Sequence, residues 1–212
     1  MCGAALLLGA GCAGTVPKLR GVPEQGMAAV IVGGRFFVPT GETTSGRLVV
    51  NLDGEGGRRT EVYRLPIRPQ ETLLYQVEPG LYRLSPTRSI FGFHQPMLTV
   101  RIEGDSYRIP FPHDVLRRPA LDIIPKKIVP IGVFEVRLES ALPGQAPAVK
   151  VHLDDSVAAR RQIVQDIIRE MMDPAARTVN RESAVAWSRA LEKSLMELVS
   201  ETERAPLFKA GP

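Results

Sequence analysis

The chain has 212 residues, 44% of them hydrophobic and 24% charged, with a net charge of +4 at pH 7. That length suffices for one good core, or a core with a small appendage, and the mild, dispersed basicity does not argue for nucleic acid. Both cysteines, Cys2 and Cys12, lie in the first dozen residues. This excludes a disulfide framework or a thiolate zinc site in the body, and no apolar run reaches the roughly 20 residues of a spanning helix.

In chain order, the first feature is a short apolar segment, Ala4 to Ala10, followed by Gly11 and Cys12. Its length is near the lower limit of about 7 residues for the apolar core of a signal peptide, and Gly9-Ala10-Gly11 are small enough for a peptidase cleft. Leu6 to Cys12 resembles the lipobox of bacterial lipoproteins. The resemblance implies a signal peptide over 1–11 and acylation of Cys12, which would carry palmitate-like chains and become N-terminal. By the same resemblance, Ala13 and Gly14 in place of an acidic residue imply the outer membrane, facing the periplasm. Each buried acyl methylene contributes about 0.8 kcal/mol, so two or more chains make a durable anchor. The plainer reading is a Gly/Ala-rich tail or a first strand broken by glycines. Residues 12–26 then read as the lipidated cysteine and a tether, able to reach about 3.3 Å per residue when extended.

From Met27 to Leu153 the chain alternates short strand-like runs with turn signals, in keeping with its 19 glycines and 18 prolines. "MAAVIV" ends at Gly33-Gly34, and "GRLVVNL" ends at Asp53-Gly54. "RTEVYRLPI" alternates as a half-buried strand does. "TLLYQV" and "GLYRLS" flank Glu78-Pro79-Gly80, while "MLTVRI" and "SYRIPF" flank Glu103-Gly104-Asp105 as a hairpin. "KKIVPIGVFEVRLES" and "PAVKVHL" complete eight or nine strands. With few helices between them, these predict a mainly β, antiparallel, Ig-like or transthyretin-like β-sandwich over 27–153. Pro66, Pro110 and Pro130 are expected at edges or bulges, because proline donates nothing to a ladder. The segment "LLYQVEPGLYRLS" resembles the strand–turn–strand of carboxypeptidase-regulatory-like and transthyretin-like domains, which implies a sandwich fold and no functional residue.

After Leu153 the period changes from 2 to 3.6, predicting a pair of amphipathic α-helices over 154–204 and a tail over 205–212. Asp154 and Asp155 can cap a helix bearing Val157, Val164, Ile167, Ile168 and Met171, ended by Asp173-Pro174. Asn180 can cap a second, with Ala184, Trp187, Leu191, Leu195 and Leu198 along one face. That face covers the other helix and the sandwich, or else it offers Trp187, Leu191 and Leu195 to another protein.

Chemistry is sparse. Of three histidines, His152 lies two residues from Asp154, but a metal needs three or four protein ligands and capping already accounts for the aspartates. His113-Asp114 has no nucleophile motif beside it. "LDGEGGRR" lacks the Lys-Ser/Thr of a phosphate loop and reads as a hairpin turn. Neither catalysis nor a metal or other cofactor is expected. Two features retain binding interest. Ile90, Phe91 and Phe93 stand around Gly92 in an inter-strand loop, either as an exposed apolar tip or folded over the open end of the sandwich. The basic pairs Arg58-Arg59, Arg117-Arg118 and Lys126-Lys127 either meet anionic headgroups or another acidic surface, or form a solvated surface. The sequence thus predicts a lipid-anchored, non-catalytic accessory subunit of a cell-envelope assembly, whose partners are the membrane and other envelope proteins. The alternative is a glycan- or peptide-binding module using the open end around Phe91 and Phe93.

Overall fold

The computed structural model describes residues 26–55, 62–86, 97–140, 147–173 and 181–204, with side chains of the last segment described over 187–201. Two sheets face each other, and two helices cover the outer side of one of them. The first sheet contains β1 (Ala28–Val38), β2 (Gly41–Glu42), β5 (Thr72–Val77), β10 (Ile128–Glu139) and β11 (Ala148–Asp154). The second contains β3 (Gly46–Glu55), β4 (Val62–Ile67), β6 (Gly80–Ser85), β7 (Met97–Ile102), β8 (Asp105–Pro110) and β9 (Leu121–Ile123). A single helical turn, α1 (His113–Leu116), follows β8, and α2 (Val157–Met172) and α3 (Arg181–Arg204) form the C-terminal pair. The expected mainly β sandwich with two C-terminal helices is the observed fold.

One pairing departs from the antiparallel expectation: β1 and β10 run parallel over nine residue pairs, Ala29↔Ile128 to Phe37↔Arg137. β1 is covered on both faces. Ala28, Val30, Val32 and Phe36 enter the core between the sheets, whereas Ala29 and Ile31 enter a second core with Ile163, Val164, Trp187 and Leu191 of the helices. A strand buried on both faces is apolar throughout, as parallel strands usually are, although β1 also pairs antiparallel with β5 on its other edge, and nothing local in its run reports the direction of a partner far along the chain.

Gly33-Gly34, expected to end the first strand, lie inside β1. A Cβ on Gly33 would meet Ile163 Cγ2 of α2 at 2.9 Å, and one on Gly34 would meet the Arg68 carbonyl oxygen at 2.3 Å. These glycines therefore admit close neighbours on the strand's two faces instead of turning the chain. Asp53-Gly54 likewise continue β3, where Asp53 pairs with Val62 on one side and Arg83 on the other. Ser85 Oγ donates to the buried Asp53 carboxylate at 2.7 Å. The prolines sit where their missing donor is harmless. Among the described residues, Pro66 is on β4, which pairs with β3 alone, and Pro110 ends β8, which pairs with β7 alone. Pro130 adjoins a bulge where Ile31 pairs with Pro130 but Val32 with Gly132. That bulge switches parity along β10: Ile128 faces the helices before it, whereas Phe134 and Val136 face the sandwich core after it.

Glu78-Pro79 is a turn, but its two strands belong to different sheets, since β5 pairs with β1 and β6 pairs with β3 and β9. It is an arch, not a hairpin. The β7–β8 connection is the expected hairpin, with Glu103 at φ 50° and Gly104 at φ 90°, both positive as a two-residue primed turn requires. At the start of α2 the cap is Ser156, whose Oγ accepts from Ala159 N at 3.2 Å, not Asp154 or Asp155. Asp154 Oδ1 instead accepts from Ser156 N at 3.0 Å, holding the junction one step earlier. The buried face of α2 is Ala159, Ile163, Val164 and Ile167, so Ile163 joins the expected stripe, while Val157, Ile168 and Met171 pack against it half-buried. Asp173 ends the helix as expected; Asn180 lies outside the described residues.

Candidate functional site

The structure separates the sequence-predicted site residues into two groups. Cys12, Ile90, Phe91 and Phe93 lie outside the described residues, as do His94 and Arg58-Arg59. Trp187 and Leu191 are buried, and the half-buried Leu195 packs against the same cluster, between the helices and the outer face of the first sheet. In this arrangement the stripe is used inside the chain, covering the second apolar face that β1 and β10 present. α3 also donates Ser194 Oγ to the Ile128 carbonyl at 3.4 Å.

Of the two described histidines, His152 lies beside Asp114, the residue after His113. His152 Nδ1 lies 3.6 Å from Asp114 Oδ2, with both side chains more than half exposed. Burial pushes the Asp154 carboxyl upward, but the hydrogen bonds from Ser156, with His152 and Arg35 nearby, more than offset this and hold it below the usual carboxylate range. Among the described residues no group of three or more His, Cys, Asp or Glu side chains could hold a metal ion. No helix among them is long and apolar enough to cross a membrane.

Two concavities of the described residues each set three basic side chains beside apolar ones. One is a cleft of about 260 Å³ at the end of the sandwich where β6 and β9 approach β10, β11 and the start of α2. Its floor is Leu84, Val115, Leu121, Val129, Ile131 and Leu153, and its rim carries Arg83, Arg118, Arg160 and Asp155. Each rim charge has a partner: Arg118 bonds Asp155 and also donates to the Leu153 carbonyl at 3.0 Å. Arg160 pairs with Glu201 at 2.6 Å, and Arg83 pairs with Glu55. Arg118 thereby ties the loop after α1 to the start of α2. Among the described residues, the lining of this cleft is aliphatic and charged.

The other concavity, about 300 Å³, lies between the turn Ile124–Lys127 and α3, lined by Ile124, Pro125, Lys126, Lys127, Lys193 and Glu197 among others. Lys127 N donates to Ile124 O at 3.2 Å, closing a turn with Pro125 and Lys126 at its centre. Lys126 has φ 61°, the positive value that a type II turn needs at its second central position and that glycine ordinarily supplies. The turn is held against the entry of β1 by Lys126 N to Met27 O at 2.8 Å and Ala29 N to Lys127 O at 3.0 Å. Of its parts, the pair Lys126-Lys127 was visible in the sequence. Ile124 and Lys193 were not, because nothing local marks residues that meet only across a helix and a turn.

No family model matches this chain, and no curated protein matches it. Among solved structures, it is similar to a "putative cell adhesion protein" from Bacteroides ovatus at 10% sequence identity, over 60% of this chain and 45% of that one. The TM-score of 0.26 is too low for that likeness to bear on fold or function.

Proposed function

We propose that this chain is a lipid-anchored cell-envelope protein, held at the outer membrane through acylated Cys12 and acting without catalysis as an accessory subunit of an envelope assembly. The observation that carries the reading is the placement of cysteine. Cys12 follows Leu6 to Gly11 in a lipobox-like order, and no cysteine occurs in the remainder of the chain. The folded body supports it in one respect: β1 begins at Ala28, so sixteen residues after Cys12 the chain is already an interior strand. Anchor, tether and scaffold are thus successive along the chain. The intact mass of protein from its native host, beside Cys12→Ala, tests this. A chain starting at Cys12 with added acyl mass is expected; an unprocessed, unmodified chain overturns the anchor.

One observation favours a second reading, a peptide-binding module. The cleft beside Arg118 joins an apolar floor to a charged rim, which suits an apolar side chain flanked by polar backbone better than a sugar. Loss of peptide binding in Leu121→Gln, with the melting temperature retained, would select this reading over the first.

A further inference from the structure

The chain enters its fold beside the turn Ile124–Lys127, and that turn is built for an interface. Ile124 is 49% exposed at its tip, an apolar side chain in water. Lys126, two residues on, takes the positive φ that the turn requires of its second central position. Lys126 and Lys193 are exposed, and Lys127 is half-exposed 3.6 Å from Glu197. Three ammonium groups against one carboxylate leave the rim cationic.

We propose that this patch is a bilayer-docking face, in which Lys126, Lys127 and Lys193 meet anionic lipid headgroups while Ile124 and Pro125 press into the headgroup layer. The proposal rests on the anchor reading for its orientation. Met27 is hydrogen-bonded to the turn itself, so the chain leading back to Cys12 departs from this face. Thirteen residues lie between Cys12 and Gly26, and the fourteen steps reach at most about 50 Å when extended. A body tethered at that point can rest on the membrane with this end down and leave the arginine-rimmed cleft to other ligands. Charge and apolar contact act together in such a face: each lysine near an anionic surface is attracted within a Debye length, and the buried apolar tip adds a contact insensitive to salt.

The test uses full-length Cys12→Ala, which removes the acyl anchor and keeps the patch, in flotation with vesicles of equal parts phosphatidylglycerol and phosphatidylcholine or of phosphatidylcholine alone. Any contribution of the leader is common to both. Binding should favour the anionic vesicles and weaken at high salt. Lys126→Glu/Lys127→Glu/Lys193→Glu should lose about tenfold or more in affinity for the anionic vesicles. Lys126→Gln/Lys193→Gln leaves the Lys127–Glu197 pair intact, and should lose a smaller part if the triple variant folds poorly. Arg64→Glu/Arg101→Glu/Arg108→Glu removes the same charge from exposed positions of the second sheet and should retain most of the binding. Equal binding to both vesicle types, or equal loss in the two triple variants, overturns the proposal. An acylated native chain whose Cys12→Ala form shows no lipid preference overturns the patch and leaves the anchor standing. A lipid-selective protein whose native mass shows no acylation upholds the patch and removes the anchor.

Discussion

The two sheets of this protein are built from similar residues but live in different surroundings. On β7, in the second sheet, burial alternates strictly: Leu98, Val100 and Ile102 are buried while Met97, Thr99 and Arg101 are exposed. On β1, in the first sheet, seven successive residues from Ala28 to Gly34 are buried. The difference is the number of covered faces. β7 has one, packed on the sandwich core; the centre of the first sheet has two, because α2 and α3 close its outer side, and β3 lies between these cases, with Asn51 and Asp53 buried on the face opposite Val50 and Leu52. A strand's alternation therefore counts its neighbours in the third dimension, and its absence is as informative as its presence.

This comparison predicts opposite tolerances at adjacent positions. The largest effect is expected on β1, where either parity fails: Val30→Asp and Ile31→Asp should each leave the chain unfolded, since an unpaired buried carboxylate costs several kcal/mol against a total stability of about 5–15 kcal/mol. Circular dichroism reads the outcome, and a folded Ile31→Asp protein would mean that the helices do not seal that face. Gly34→Ala comes next. The added methyl meets the Arg68 backbone, which cannot swing aside as a side chain would, so a loss of about 1–3 kcal/mol is expected in denaturant titration.

Ser156→Ala should cost about 1 kcal/mol by removing the cap at Ala159 N, and would show that α2 depends on its own start as well as on its buried stripe. The same junction has a pH signature. Because the Asp154 carboxyl is held below its ordinary value, its contribution is fully present above about pH 4 and disappears as pH falls through the lowered folded value. The stability gap between the native chain and Asp154→Asn should therefore be constant near neutrality and narrow in acid. The smallest effect belongs to β7. Thr99→Glu, on its solvent face opposite Arg108, should stay within about 0.5 kcal/mol of the native chain. A large loss there would reveal a cover on the second sheet.

Legibility followed the same physical line. The hairpin around Glu103-Gly104 was plain, because both positive φ values come from local residues between two alternating strands. The edge and bulge positions of Pro66, Pro110 and Pro130 were equally plain, since proline's missing donor is a local fact. Gly33-Gly34 misled because the same residue type serves turns and close approaches, and only the neighbours Ile163 and Arg68 distinguish the two. The stripe Trp187-Leu191-Leu195 announced a helix with an apolar face, but not whether that face was covered from within. The clefts were the least visible. Arg83, Arg118 and Arg160 come from three distant segments and share no motif, and Lys193 reaches the turn at Lys126 only through the packing of α3.

By itself, then, the sequence determined the class of the fold, the order of its strands and helices, and the confinement of cysteine to the first twelve residues. Those properties rest on periodicity, turn chemistry and residue counts, which act over a few bonds. The tertiary structure alone decided that β1 and β10 run parallel, that β5 and β6 part into opposite sheets, and which charges gather at a rim. Each of these depends on contacts between residues tens of positions apart, whose free energy comes from mutual burial and leaves no local mark in the chain.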